Sequence, residues 1–132
     1  MAELQRVMCV EDEDDIRIIA EMALADVGGL EVMTCASGAS ALEAVAGFAP
    51  QLVVLDVMMP GMDGPAVLAR LKERADTCHL PVVFMTAKVQ PSEVARLKSL
   101  GAADVVAKPF DPMTLAEQLR AIWAGLGGEA RP

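Results

Sequence analysis

Short runs of apolar residues, interrupted only by Glu31, punctuate the chain at a nearly even pitch: Val7–Val10, Leu30–Met33, Leu52–Leu55, Val82–Met85 and Val105–Ala107. They are rich in Val and show no apolar–polar alternation. That is the pattern of parallel strands buried on both faces rather than of an antiparallel sandwich. Between the runs the period changes to that of amphipathic helices. Ile16, Ile19, Ala20, Ala23 and Val27 form the stripe of a first helix, stopped by Gly28-Gly29. Ser37 caps a second, whose inner face is Leu42, Val45 and Ala46. Pro65 opens a third with Val67, Leu68 and Leu71 inward, and Pro91-Ser92 a fourth with Val94, Leu97 and Leu100, closed by Gly101. For the fifth, Asp111 is the expected N-cap and Pro112 the first helical residue, with Leu115, Leu119, Ile122 and Trp123 inward. Strands alternating with helices in this way predict an α/β, doubly wound three-layer sandwich around a parallel five-stranded sheet. One domain over residues 1–125 and a short, Gly-rich, flexible tail over 126–132 are expected.

Composition narrows the class. The 132 residues are 54% hydrophobic and 23% charged, which excludes a disordered or collagen-like chain. The longest uncharged stretch, Ala44–Leu55, is short of the ~18 apolar residues that a membrane helix needs. Glu3, Arg6 and Glu11 interrupt any signal-peptide core. A soluble, cytoplasmic protein is expected. Acidic residues number 19 against 11 basic, and the net charge of −8 disfavours direct binding to nucleic acid or to a membrane. Cys9, Cys35 and Cys78 form no C-x-x-C pair and are read as reduced and mostly buried. His79 has no partners in sequence for a zinc site or a triad and is read as structural.

In an open parallel sheet, ligands bind beyond the carboxyl ends of the strands. There, strand one delivers Glu11, Asp12, Glu13, Asp14 and Asp15, strand three Asp56, strand four Thr86 and strand five Lys108. Each alone has a plain structural reading. Glu13, Asp14 and Asp15 suit the first turn of a helix, where the macrodipole favours acids. Asp56 could form a turn, Thr86 a cap, and Lys108 could sit in solvent. Gathered at one sheet end, they suit Mg²⁺-dependent phosphoryl transfer to a carboxylate. Mg²⁺ takes one or two carboxylates together with waters and a phosphate oxygen. Asp12 and Asp56 can share such an ion, and Asp56 is the candidate nucleophile. Lys108 would balance charge on the phosphoryl oxygens, and Thr86 would donate a hydrogen bond. The chain has no G-x-x-x-x-G-K-[ST] loop, which argues against a nucleoside triphosphate as the phosphate source.

These positions and their flanks resemble the receiver domain of two-component response regulators. The resemblance rests on Val10-Glu11-Asp12 with Ile16-Arg17, the run from Leu55 to Gly64, Met85-Thr86-Ala87, Gly101-Ala102 and Lys108-Pro109-Phe110. It extends from about Arg6 to Trp123. It implies a flavodoxin-like (βα)5 fold with strand order 2-1-3-4-5. It also implies that Asp56 is the phospho-acceptor, that Asp12, Asp56 and the Met58 backbone carbonyl ligate Mg²⁺, and that Glu11 acts through a bound water. Thr86 and Lys108 would hold the phosphoryl group, and the Lys108-Pro109 peptide would be cis. The implied partners are a sensor histidine kinase or a histidine phosphotransferase as donor. A downstream protein would bind the helix four, strand five, helix five face. The resemblance points to a regulatory phospho-acceptor rather than an enzyme, of the stand-alone type, since the chain ends soon after helix five.

The chain departs from the family pattern at several positions. Glu11 replaces the commoner Asp. Met58 and Lys88, at positions that tune phosphoryl loss, offer no carboxamide or carboxylate to orient water. Val105 stands where the family usually has an aromatic. It keeps open the alternative of a receiver-like protein-binding module acting without phosphorylation. A phosphatase with an aspartate nucleophile would carry a second Asp two residues beyond Asp56, where Met58 stands.

Overall fold

The computed structural model describes the backbone of residues 3–130 and the side chains of residues 3–127. Every apolar run becomes a strand: β1 (Arg6–Val10), β2 (Glu31–Cys35), β3 (Leu52–Asp56), β4 (Val82–Thr86) and β5 (Asp104–Ala107). All neighbours pair parallel, in the order β2-β1-β3-β4-β5. β3 and β4 are buried at every residue. The edge strands are less covered than a uniformly buried run implies: β2 is fully buried only at Cys35 and β5 only at Val106.

Five helices connect the strands: α1 (Asp14–Glu21), which continues into a π-helical segment over Met22–Val27, α2 (Gly38–Phe48), α3 (Gly64–Glu73), α4 (Pro91–Ser99) and α5 (Leu115–Ala130). On one face of the sheet, Ala20, Ala23, Leu24, Leu115 and Leu119 pack against Val7, Cys9, Val54 and Val83. On the other, Ala41, Val45, Val67, Leu68, Leu71 and Leu97 pack against Met8, Val10, Val53 and Phe84. Successive residues of β1 therefore enter opposite layers, which is why the run has no polar position. The α2 cap falls where the sequence places it, and α3 has a cap not named from the sequence. Ser37 accepts the Ser40 N–H at 3.1 Å, and Asp63, just before Gly64-Pro65, accepts that of Ala66 at 2.9 Å.

Several predicted positions need correction. The inner stripe of α1 is Ala20, Ala23 and Leu24, whereas Ile19 and Val27 are 43% and 48% exposed. The π segment, in which the Gly28 N–H reaches back to the Ala23 carbonyl (3.1 Å), shifts the helical period after Glu21 and turns Val27 outward. Gly28 itself sits so close to α5 that a Cβ there would lie 2.4 Å from the Ala116 Cβ. Ala46 and Leu100 are exposed; Ala41 and Val45 are buried on α2, and Leu97 on α4. Asp111 accepts the Met113 N–H (2.9 Å) and caps a turn, so α5 begins at Leu115, not at Pro112. The backbone of α5 then runs through Gly125 to Ala130, over residues read from composition as a tail; Arg131 and Pro132 lie outside the described residues. Cys78 and His79 are exposed between α3 and β4. Cys9 and Cys35 are free and buried. Burial, reinforced by the charge of Glu11, pushes the Cys9 thiol up to about 12, so it stays protonated and inert. Among the described residues, no helix is long and apolar enough to cross a membrane.

Candidate functional site

The carboxyl ends of β1, β3, β4 and β5 converge as the strand order requires. Glu11 follows β1 and is fully buried; Asp56, the last residue of β3, is 3% exposed. The Lys108 ammonium lies between them, 3.0 Å from Glu11 Oε1 and 3.1 Å from Asp56 Oδ1. It is carried there from beyond β5 by a cis Lys108-Pro109 peptide, as expected, and by the Lys108 N–H donating to the Thr86 carbonyl (2.9 Å). Glu11 has all its polar groups engaged. Its N–H donates to the Cys35 carbonyl, its Oε2 accepts the Glu13 N–H, and its own carbonyl accepts from Arg17. Asp12 differs: it is half-buried, and none of the described residues donates to its carboxylate.

Two charged groups are displaced from their ordinary proton affinities. Burial and then the negative charge of Glu11 raise the Asp56 carboxyl from 3.8 to about 6, held back by hydrogen bonds from Lys108 and the Met58 N–H. For Lys108, burial works against the charged form, but the hydrogen bonds to Glu11 and Asp56 outweigh it and the ammonium is held above its usual range. The ion triple is therefore a charged, low-dielectric cluster whose surplus charge is negative.

Oxygen atoms of Glu11, Asp12 and Asp56 all lie within 4.8 Å of one another. An all-oxygen, carboxylate-rich donor set of this size suits a hard divalent cation such as Mg²⁺ better than a soft metal. Thr86 ends β4 and is buried, with its hydroxyl oxygen accepting the Lys88 N–H at 3.0 Å. The Met58 side chain is 71% exposed, while its backbone is tied to Asp56. Glu13 is the N-cap residue of α1, with Asp14 and Asp15 in its first turn, as the macrodipole favours. Beneath the site Gly64 is obligatory, because a Cβ would lie 2.5 Å from the Asp56 carbonyl oxygen and 2.8 Å from Phe84. Sequence reasoning missed an open apolar hollow of about 360 Å³ beside Lys108, lined by Ile16, Ile19, Ala87, Pro109, Phe110 and Pro112. The signal was present: two isoleucines too many for the buried face of α1.

Residues 7–120 match the response regulator receiver domain family, and the chain belongs to it. It is 36% identical to the transcriptional regulatory protein CseB of Streptomyces avermitilis over 132 residues, all of this chain and 54% of that protein. It is 41% identical to the DNA-binding transcriptional regulator NtrC of Escherichia coli over 105 residues, 80% of this chain and 22% of that one. The chain thus spans about half the length of the first relatives that it matches, and less of others. In structure it is similar to the chemotaxis response regulator CheY4 of Vibrio cholerae, with a TM-score of 0.83 and 28% identity, covering 90% of this chain and 98% of that one. It is a signalling domain of the two-component type, with the flavodoxin-like fold that its strand order defines.

Proposed function

We propose that Asp56 accepts a phosphoryl group from a phosphohistidine, carried by a sensor histidine kinase or a histidine phosphotransferase. The phosphorylated domain then signals by binding partners differently. The observation that carries this reading is the buried ion triple Glu11–Lys108–Asp56 with the open Asp12 carboxylate beside it. Asp12, Asp56 and the Met58 carbonyl would hold Mg²⁺, with Glu11 acting through a water. Both carboxylate oxygens of Glu11 already accept hydrogen bonds, which suits that outer role. The ion, when bound, supplies positive charge to the phosphoryl oxygens.

The remaining work falls to the chain. An Asp56 carboxylate oxygen forms the new P–O bond as the P–N bond of the donor breaks, and the electron pair of that bond leaves with the imidazole nitrogen. Lys108, already at 3.1 Å from the acceptor, turns toward the incoming oxygens and stabilises their charge. The Thr86 hydroxyl accepts from Lys88 in this state, so its own proton is free to be donated to a phosphoryl oxygen. β4 and β5 couple that event to the α4–β5–α5 face, because Thr86 pairs with Ala107 and its carbonyl holds the Lys108 N–H. This face is the proposed output surface, and the cytoplasm the proposed location.

Phosphotransfer profiling tests the reading. Labelled phosphohistidine proteins of both donor kinds are mixed with the domain, with and without Mg²⁺. Label is expected on the wild type only with Mg²⁺ present, and never on Asp56→Asn, because an amide is not a nucleophile. Equal labelling of Asp56→Asn would place the acceptor elsewhere.

A further inference from the structure

Five consecutive acids, Glu11 to Asp15, crowd the turn between β1 and α1. Lys108 answers one of them from the far side of the site, through the Glu11 side chain. On the near side stands Arg17, whose side chain is only 20% exposed. Its Nη1 donates to the Glu11 carbonyl at 3.0 Å and, more weakly, to that of Asp12 at 3.4 Å. Its Nη2 is 2.5 Å from Asp14 Oδ1 in the first turn of α1. One planar guanidinium thus ties both ends of the turn together across the residues that carry two candidate ligands. A single ammonium cannot make that fork. The pattern is needed because Asp12, unlike Glu11, receives no hydrogen bond on its carboxylate from any described residue, so the main chain has to set its direction.

Resting on the reading of Glu11, Asp12 and Asp56 as the Mg²⁺ site, we infer that Arg17 is a positioning residue. It clamps the backbone of Glu11 and Asp12 and so presets the Asp12 carboxylate for the ion. The sign of the change in Mg²⁺ affinity on losing Arg17 separates a clamp from a mere charge. By Coulomb's law alone, removing a cation near a Mg²⁺ site relieves repulsion and tightens binding. A lost clamp does the opposite, since outer-shell partners that orient ligands are worth about 10- to 100-fold in metal affinity.

The test is direct Mg²⁺ binding by titration calorimetry, with no phosphodonor present, on wild type, Arg17→Gln, Arg17→Lys and Asp14→Asn. Folding of each is checked by circular dichroism, and amide hydrogen exchange of residues 11–17 is followed without metal. Arg17→Gln is expected to bind roughly 10-fold more weakly and to exchange faster through the turn. Arg17→Lys keeps the charge without the fork and should recover only part of the affinity. Asp14→Asn, at an exposed carboxylate, weakens binding through its lost charge alone, so it is read instead by amide exchange, expected to quicken through residues 11–17. If Arg17→Gln does not fold, Arg17→Lys and Asp14→Asn decide. Wild-type or tighter affinity in the folded Arg17 variants, or, where Asp14→Asn alone decides, wild-type amide exchange through residues 11–17 in that variant, overturns the clamp. A wild type that binds no Mg²⁺ overturns the metal reading itself, and the clamp with it.

Discussion

Asp56 faces opposed requirements: buried beside Glu11 it resists ionisation, yet in its proposed role as acceptor it must be a carboxylate. In the metal-free protein its carboxyl is raised from 3.8 to about 6, so the native state holds that proton more tightly than the unfolded chain does. This stabilising contribution is complete below about 3.8 and is lost as the pH rises through about 6. Metal-free wild type should therefore lose stability relative to Asp56→Asn between these limits, by on the order of a few kcal/mol. Thermal midpoints of the two proteins across that range check it; parallel curves would mean that Asp56 ionises as freely in the fold as outside it. Met58 defines a second prediction at the same scale. Hydrolysis of an aspartyl phosphate needs a water held in line, and the exposed Met58 side chain offers that water no acceptor. Met58→Asn should shorten the phosphoryl lifetime, measured as loss of label after the donor is removed. An unchanged or longer lifetime would remove Met58 from the account.

Between residue and fold stand the elements that aim the site. α3 begins directly beneath it, and the Cβ of Gly64→Ala would meet backbone, the Asp56 oxygen at 2.5 Å and the Val57 Cα at 2.9 Å, as well as Phe84. Backbone cannot swing aside as a flexible side chain can, so this substitution should cost about 1–3 kcal/mol in chemical denaturation and displace Asp56 as well. α1 presents the opposite case, apolar side chains with nothing over them. Ile18 and Met22 are 55% and 52% exposed, and Ile19 lines the hollow next to Lys108. Exposed apolar surface beside a reactive group is what a docking protein covers. Ile19→Ser should slow transfer from a phosphohistidine protein while leaving labelling by acetyl phosphate intact; equal effects on both would mean that the change disturbs the site itself. On the proposed output side, Val105 is half-buried against the α2–α4 layer and, short and stiff at χ1, cannot make the excursion of an aromatic ring. The proposed response to phosphorylation is then a modest shift of the loop after Thr86 and of α4. NMR shifts with a beryllofluoride mimic should extend through residues 87–110; silence there would mean that the signal leaves by another face.

At the scale of the whole molecule, the strands were legible because burial on both faces leaves a continuous apolar run, and their order followed from the family motifs. Helix faces were less legible. The π segment of α1 breaks the 3.6 period, and surface apolar residues such as Ile19 and Leu100 look in sequence like core. Within the site, Glu11, Asp12, Asp56, Thr86 and Lys108 stood out because strand ends deliver them to one edge. Arg17 acts through backbone carbonyls, and no spacing rule announces a carbonyl. The acid cluster also has a consequence for the whole fold. Without a metal ion, three carboxylates share the one Lys108 ammonium and keep a surplus negative charge, so Asp12→Asn should raise the thermal midpoint in chelator, and Mg²⁺ should stabilise the wild type by mass action. Full retention of the Mg²⁺ effect in Asp12→Asn would remove it as a ligand. The central claim, that Asp56 is the phospho-acceptor, is tested most directly by the intact mass of the protein after incubation with Mg²⁺ and acetyl phosphate. The account predicts one added phosphoryl group on the wild type, none in chelator and none on Asp56→Asn. An equal gain in mass by Asp56→Asn would contradict it.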